Sequence, residues 1–102
     1  MNIYRLTQTD NVGYDSYDSM VVVAENEKDA RRIHPNQILE VRGDLDRDEW
    51  FTWAGAPDWT GRQPYTRTDW ADKPSGVYVE WLGWAISTLN TTQIICSSFN
   101  AG

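Results

Sequence analysis

Cysteine occurs once in this chain, at Cys96, and histidine once, at His34. An intramolecular disulfide is thereby excluded, and a zinc site or a Cys–His nucleophile pair would have to be built from these two residues alone. Cys96 stands in the apolar run "IICSS", which predicts a buried, inert thiol and fits a reducing compartment. Long hydrophobic runs are missing as well. The N-terminal "MNIYRLTQTD" has no basic stretch leading into an apolar one, and no run approaches the ~20 residues that a membrane-spanning helix needs, so neither a signal peptide nor a membrane span is expected. Positive charge is scarce: 9 basic residues stand against 15 acidic, for a net charge of -6. Such a field repels phosphate backbones and favours basic protein surfaces, which argues against sequence-independent nucleic-acid binding. A Gly-rich phosphate loop, a G-x-S-x-G elbow and a metalloprotease helix are all absent. The expectation is a protein that is not an enzyme and carries no cofactor or metal.

What is present fits one domain, residues 1–102, which at this length buries roughly two-thirds of its unfolded surface. "NIYRLTQ" reads as a strand with Tyr4 and Leu6 on one face and Ile3, Arg5 and Thr7 on the other. The turn-rich "TDNVGYDSYDS" leads to a β-branched strand, Met20 to Ala24. In "ENEKDARRIHP", Asn26 is placed to cap a helix of about two turns that Pro35 ends, with Ala30 and Ile33 as its apolar stripe and Arg31 and Arg32 outward. "QILEVRG" reads as a short strand or an extended connector. "GVYVEWLGWA" and "TQIICSSF" supply two more strands, with "STLNTT" as a turn between them. The order β-β-α-β-β predicts an α+β fold: a two-layer antiparallel sheet with one short helix on a face.

Residues 44–76 interrupt this pattern as a Trp-rich insertion, where Trp50, Phe51, Trp53, Trp59, Tyr65 and Trp70 stand among Gly, Pro and charged residues. Two readings compete. The rings fold back as a satellite core, or they stay at the surface as anchors for a partner, since Trp, Tyr and Arg dominate interface hot spots. On the second reading the partner-binding residues are Trp50, Trp53, Trp59 and Trp70, with Arg62 and Arg67 among the rings and Asp44, Asp46, Asp48 and Glu49 steering toward a basic target. A slot of rings and Arg would also stack a nucleobase and pair a phosphate. Asp10, Asp15 and Asp18 lack calcium-loop spacing and read as turn residues. Trp81, Leu82 and Trp84 in "VEWLGW" put aromatics on both faces of a strand, which a second copy of the chain could cover as a homodimer.

Tyr14, Asp15, Tyr17, Asp18 and Ser19 form a Tyr-Asp-x-Tyr-Asp-Ser turn, Ile33, His34 and Pro35 an Ile-His-Pro helix end, and Ser98 to Gly102 a terminal Ser-Phe-Asn-Ala-Gly. With these motifs the chain resembles a family of small, largely uncharacterised proteins encoded by bacteriophages and prophages. The resemblance covers the first third and the last quarter of the chain; the centre is longer and more aromatic than the family pattern. It brings no established activity. It implies an accessory protein in the host cytoplasm that binds and blocks a bacterial host protein, with counter-defence of the anti-CRISPR kind as the specific expectation. The alternatives are a protein that sequesters a nucleotide signal and a self-associating structural phage protein.

Overall fold

Strand β1 (Asn2–Thr7) shows the two-residue period of its sequence directly, with Tyr4 and Leu6 buried and Arg5 exposed between them. The computed structural model describes residues 1–54 and 61–100. After β1 come β2 (Ser16–Ala24), α1 (Glu27–Arg31), β3 (Arg42–Asp44), β4 (Glu49–Thr52), β5 (Gln63–Pro64), a 3-10 turn at Pro74–Gly76, β6 (Tyr78–Trp84) and β7 (Gln93–Asn100). These strands make two antiparallel sheets, one of four strands in the order β6-β1-β2-β7 and one of three in the order β3-β4-β5. The fold is therefore α+β, as the element pattern predicts. Among the described residues no helix is long and apolar enough to cross a membrane.

The register places Tyr4 opposite Val22 and Leu6 opposite Met20, so these side chains share one face of the larger sheet. Ala30 of α1 packs on that face, and so do Val41, Trp50, Tyr65, Trp70, Ala71 and Val77. The reason is geometric. A helix of five residues cannot cover four strands, so the rest of the apolar face is closed by the chain between α1 and β6. Trp50, Tyr65 and Trp70 of the insertion thus join the main core.

Helix α1 begins as its sequence dictates: the Asn26 side chain accepts from the Asp29 N–H at 2.8 Å. Ion pairs Glu27–Arg31 at 3.0 Å and Asp29–Arg32 at 2.6 Å lie on its surface. Arg31 does not simply point outward. Its guanidinium donates to the carbonyls of Pro74 and Val77, tying the helix to the 3-10 turn. After α1 the chain makes turns through residues 37–40, and strand structure starts only at Arg42, where Gly43 N–H donates to Arg32 O at 2.9 Å. A Cβ at Gly43 would stand 2.9 Å from the Trp50 ring, so glycine is what lets β3 lie against that indole.

Two further expectations change. The Trp-rich segment holds strands: β4 buries Trp50 and Thr52 and leaves Glu49 and Phe51 half-buried, a period-two pattern hidden by its aromatic composition. Cys96, expected inside, is exposed, because β7 is an edge strand and Cys96 lies on the sheet face away from the core. The "STLNTT" segment turns at Ser87 and Thr88, as expected, and joins opposite edges of the sheet, since β6 and β7 are separated by β1 and β2.

Candidate functional site

The acidic run builds a turn before it offers a surface. Asp44 Oδ1 accepts from the backbone N–H groups of Asp46 and Arg47, each at 3.0 Å, an Asx-type closure of the β3–β4 hairpin. Asp48 takes up a left-handed conformation at φ 52°, and its carboxylate accepts from Ser75 N–H at 2.8 Å and Ser75 Oγ–H at 2.5 Å. Arg62, the residue before β5, reaches across to Glu49 at 2.5 Å and Asp44 at 2.9 Å, while its guanidinium carbon lies 4.1 Å from the centre of the Phe51 ring. The Arg47 backbone bond, against the opposing effect of desolvation and with the help of Arg62, holds the Asp44 carboxyl below its ordinary range. The hydrogen bond to Glu49, then the pairing with Asp44, keeps the Arg62 guanidinium protonated above its usual range. Asp44, Asp48, Glu49 and Arg62 therefore fix the hairpin, and Asp46 is the exposed member of the run.

The four tryptophans separate. Trp70 is 0 % exposed and Trp50 3 %, with the Trp50 indole N–H donating to Ala71 O at 2.7 Å. Neither can act as a surface anchor in this fold. Their place is taken by the core they complete. Trp53 is 54 % exposed and packs edge-on against Phe51 at 5.1 Å. Trp59 lies outside the described residues, as do Ala101 and Gly102.

His34 sits between two of the buried rings, 4.9 Å from the centres of both Trp50 and Tyr65. Its Nδ1 accepts from the Asn36 N–H at 2.9 Å, which leaves the proton of the neutral ring on Nε2, facing Asp69 Oδ1 at 3.6 Å. Burial drives the His34 pKa down to about 4, against the opposing pull of the Asp69 carboxylate. Tyr65 donates its hydroxyl to Asp69 Oδ2 at 2.5 Å and accepts from the Asn36 amide at 2.9 Å. Burial, then the Asp69 bond, raises the phenol to about 12. Nδ1 is thus committed inside the protein, while Nε2 is buried facing Asp69 Oδ1 beyond hydrogen-bond distance. Cys96 lies opposite Val21, on the face of the sheet away from Met20 and Val22, so the two residues of a Cys–His pair stand on opposite sides of the sheet.

Beside this network lies an open cleft of about 660 Å³ whose walls include Tyr14, Tyr17, Phe99, Asn36, Arg67 and Asp69. Tyr17 and Phe99 pack at 4.6 Å. The cleft brings the Tyr14–Asp15–Tyr17 turn beside Phe99, with His34 behind Asp69. Arg67, unlike Arg62, is exposed on this wall. Asp10 accepts from the Asp72 N–H at 3.0 Å and so serves a turn, and no group of three His, Cys, Asp or Glu side chains converges among the described residues.

A further exposed aromatic surface lies elsewhere, on β6 and the residues after it. Tyr78, Trp81, Leu82, Trp84 and Ile86 are all exposed, Trp84 at 76 %. Trp81 and Trp84 meet edge to face at 5.6 Å, and the Trp81 indole N–H donates to Asn2 Oδ1 at 3.0 Å. The signal for this surface was available in the chain: from Trp81 to Gly102 there is no Asp, Glu, Lys or Arg at all. Interfaces are depleted of charge and enriched in Trp at their centres, so a charge-free stretch rich in Trp marks one candidate more directly than the count of rings in residues 44–76. No protein-family model, curated protein or solved structure matches this chain.

Proposed function

We propose that this protein acts by binding another protein, without catalysis, through the aromatic strip of β6. The observation that carries this reading is the exposure of Trp81, Leu82, Trp84 and Ile86 together in a stretch without charge. Large rings held on a strand lose little conformational freedom on contact, and burying them drives association. The net charge of -6 supports a partner with a basic surface. Taken with the phage resemblance, the partner is a bacterial host protein that is blocked, with counter-defence of the anti-CRISPR kind as the specific role. The burial of His34, the chain's one histidine, with its Nδ1 held by the Asn36 N–H, supports the non-catalytic part of the reading.

Capture from bacterial lysate with tagged chain tests it. Trp84→Ala and Leu82→Ala are expected to lose the retained host protein while the urea unfolding transition moves by less than about 1 kcal/mol, since both side chains are exposed. Loss of capture with Trp53→Ala alone would transfer the contact to the β4 end of the insertion, and retention by all three variants would overturn the proposal.

The cleft favours a second reading, nucleotide sequestration. Tyr14, Tyr17 and Phe99 offer stacking surfaces and Arg67 a phosphate partner, in a volume within the range of small-ligand sites, about 300–1,000 Å³. A nucleotide at 100 times its dissociation constant would stabilise the fold by about 2.7 kcal/mol. A rise in Tm with nucleotide that Phe99→Ala and Arg67→Ala abolish would favour it; an unchanged Tm would remove it.

A further inference from the structure

The two edges of the larger sheet are guarded unequally. On β6 the outward edge is interrupted by Glu80, by Gly83 at φ 154° and by a register shift against β1 between Ile3 and Tyr4. Charge, bulges and bulky flanks are the devices that keep an edge from pairing with another strand. β7 has none of the charge. It runs "QIICSSFN", eight residues without Asp, Glu, Lys, Arg, Pro or Gly. Ile95, Cys96, Ser97, Ser98 and Phe99 are exposed one after another, so the strand is uncovered on both faces and along its edge. Its register irregularities lie on either side of a regular stretch, in which Cys96, Ser97 and Ser98 pair with Val21, Met20 and Ser19. An edge strand presents alternate N–H and C=O groups outward, and among the described residues no backbone group pairs with this stretch on its outward side.

We propose that β7 pairs antiparallel with β7 of a second copy, joining two four-stranded sheets into one of eight across a two-fold axis. The chemistry selects the occupant. Two chains that each carry -6 repel, and they can approach closely only along a line without charge, which β7 provides. A partner chosen for its basic surface finds no carboxylate on β7 to steer it. Antiparallel pairing of a strand with its own copy is self-complementary, as a two-fold interface requires, and the small Ser97 and Ser98 at the middle of the strand let the two backbones come together. This contact is separate from the β6 strip and leaves Trp81 and Trp84 free for a different protein.

Cys96, the one cysteine, is a native reporter because it is exposed and projects from a face, not along the edge. The unmodified protein is first weighed by light scattering across a concentration series, then labelled at Cys96 with a nitroxide for pulsed electron–electron distance measurement. Pairing through β7 gives a dimer whose two Cys96 sites lie within about 20 Å in any register that pairs the Cys96–Ser98 stretches with each other. Pairing through β6 instead would set the sites seven strand spacings apart, about 34 Å. A dimer that dissociates only on labelling also supports the β7 contact, because Cys96 lies on that strand. A monomer throughout the concentration range, or a dimer with the long distance, overturns the proposal.

Discussion

Trp70→Ala is expected to lower the unfolding free energy by about 3–5 kcal/mol, the largest effect of any single substitution considered for this chain. The indole is fully buried in the core that Leu6, Met20 and Val22 form with the segment after β5, and no shorter side chain there can reach the facing residues. Its removal takes away both the transfer free energy of a large ring and the contacts of the groups left around the cavity. The loss is a large share of what a domain of this size has to lose, since total stabilities run about 5–15 kcal/mol. Trp70→Phe should cost distinctly less. It retains most of the apolar ring and removes an indole N–H that finds no acceptor among the described residues. Trp53→Ala, by contrast, should stay below about 1 kcal/mol because that ring is half exposed. Urea unfolding of the three variants at neutral pH checks the order. Equal small losses for Trp70→Ala and Trp53→Ala would mean that the insertion does not close the core.

The second large effect is a loss of stability in mild acid. His34 is neutral in the folded protein with a pKa of about 4, whereas in the unfolded chain it returns to about 6.5. Between those values the unfolded chain binds a proton that the folded protein does not, so falling pH favours unfolding. The His34 contribution is fully present above about pH 6.5 and is lost as pH falls toward 4, by about 3 kcal/mol in total. The lowered Asp44 carboxyl acts in the same direction but at lower pH, as protonation approaches and passes its ordinary value of 3.8. The window from 6.5 to about 4.5 therefore isolates the imidazole. Urea titrations across it should show falling stability in the wild type and a flat profile in His34→Gln, whatever that substitution costs at neutral pH. An equally steep fall in His34→Gln would assign the effect to carboxylates instead.

These two residues also mark where the sequence could be read and where it could not. Alternation in "NIYRLTQ" was enough to put Tyr4 and Leu6 inside, because a strand with one buried face repeats every two residues whatever it packs against. Asn26 started α1 for an equally local reason, the side-chain oxygen that caps the first turn, whereas the helix ends at Arg31, before Pro35 is reached and shorter than the two turns expected. The α+β class followed from those local signals. The candidate site did not. Trp50, Trp53 and Trp70 look alike along the chain, and their different fates depend on which of them faces the sheet that α1 is too short to cover. Arg62 and Arg67 are equally similar in sequence, yet one is held by Asp44 and Glu49 and the other lines a cleft.

Cys96 shows the same limit from the other side. Its apolar neighbours predicted burial, and only the strand order β6-β1-β2-β7 made its strand an edge. By itself the sequence determined the strands, the capped helix, the acidic balance and the uncharged stretch after Glu80, all properties of composition or of residues a few positions apart. The tertiary structure decided which rings are core, which acids are tied into a turn, that His34 is sealed between Trp50 and Tyr65, and that the uncharged stretch forms both open edges of one sheet. Burial is set by what lies opposite a residue across the chain, and no local pattern carries that information.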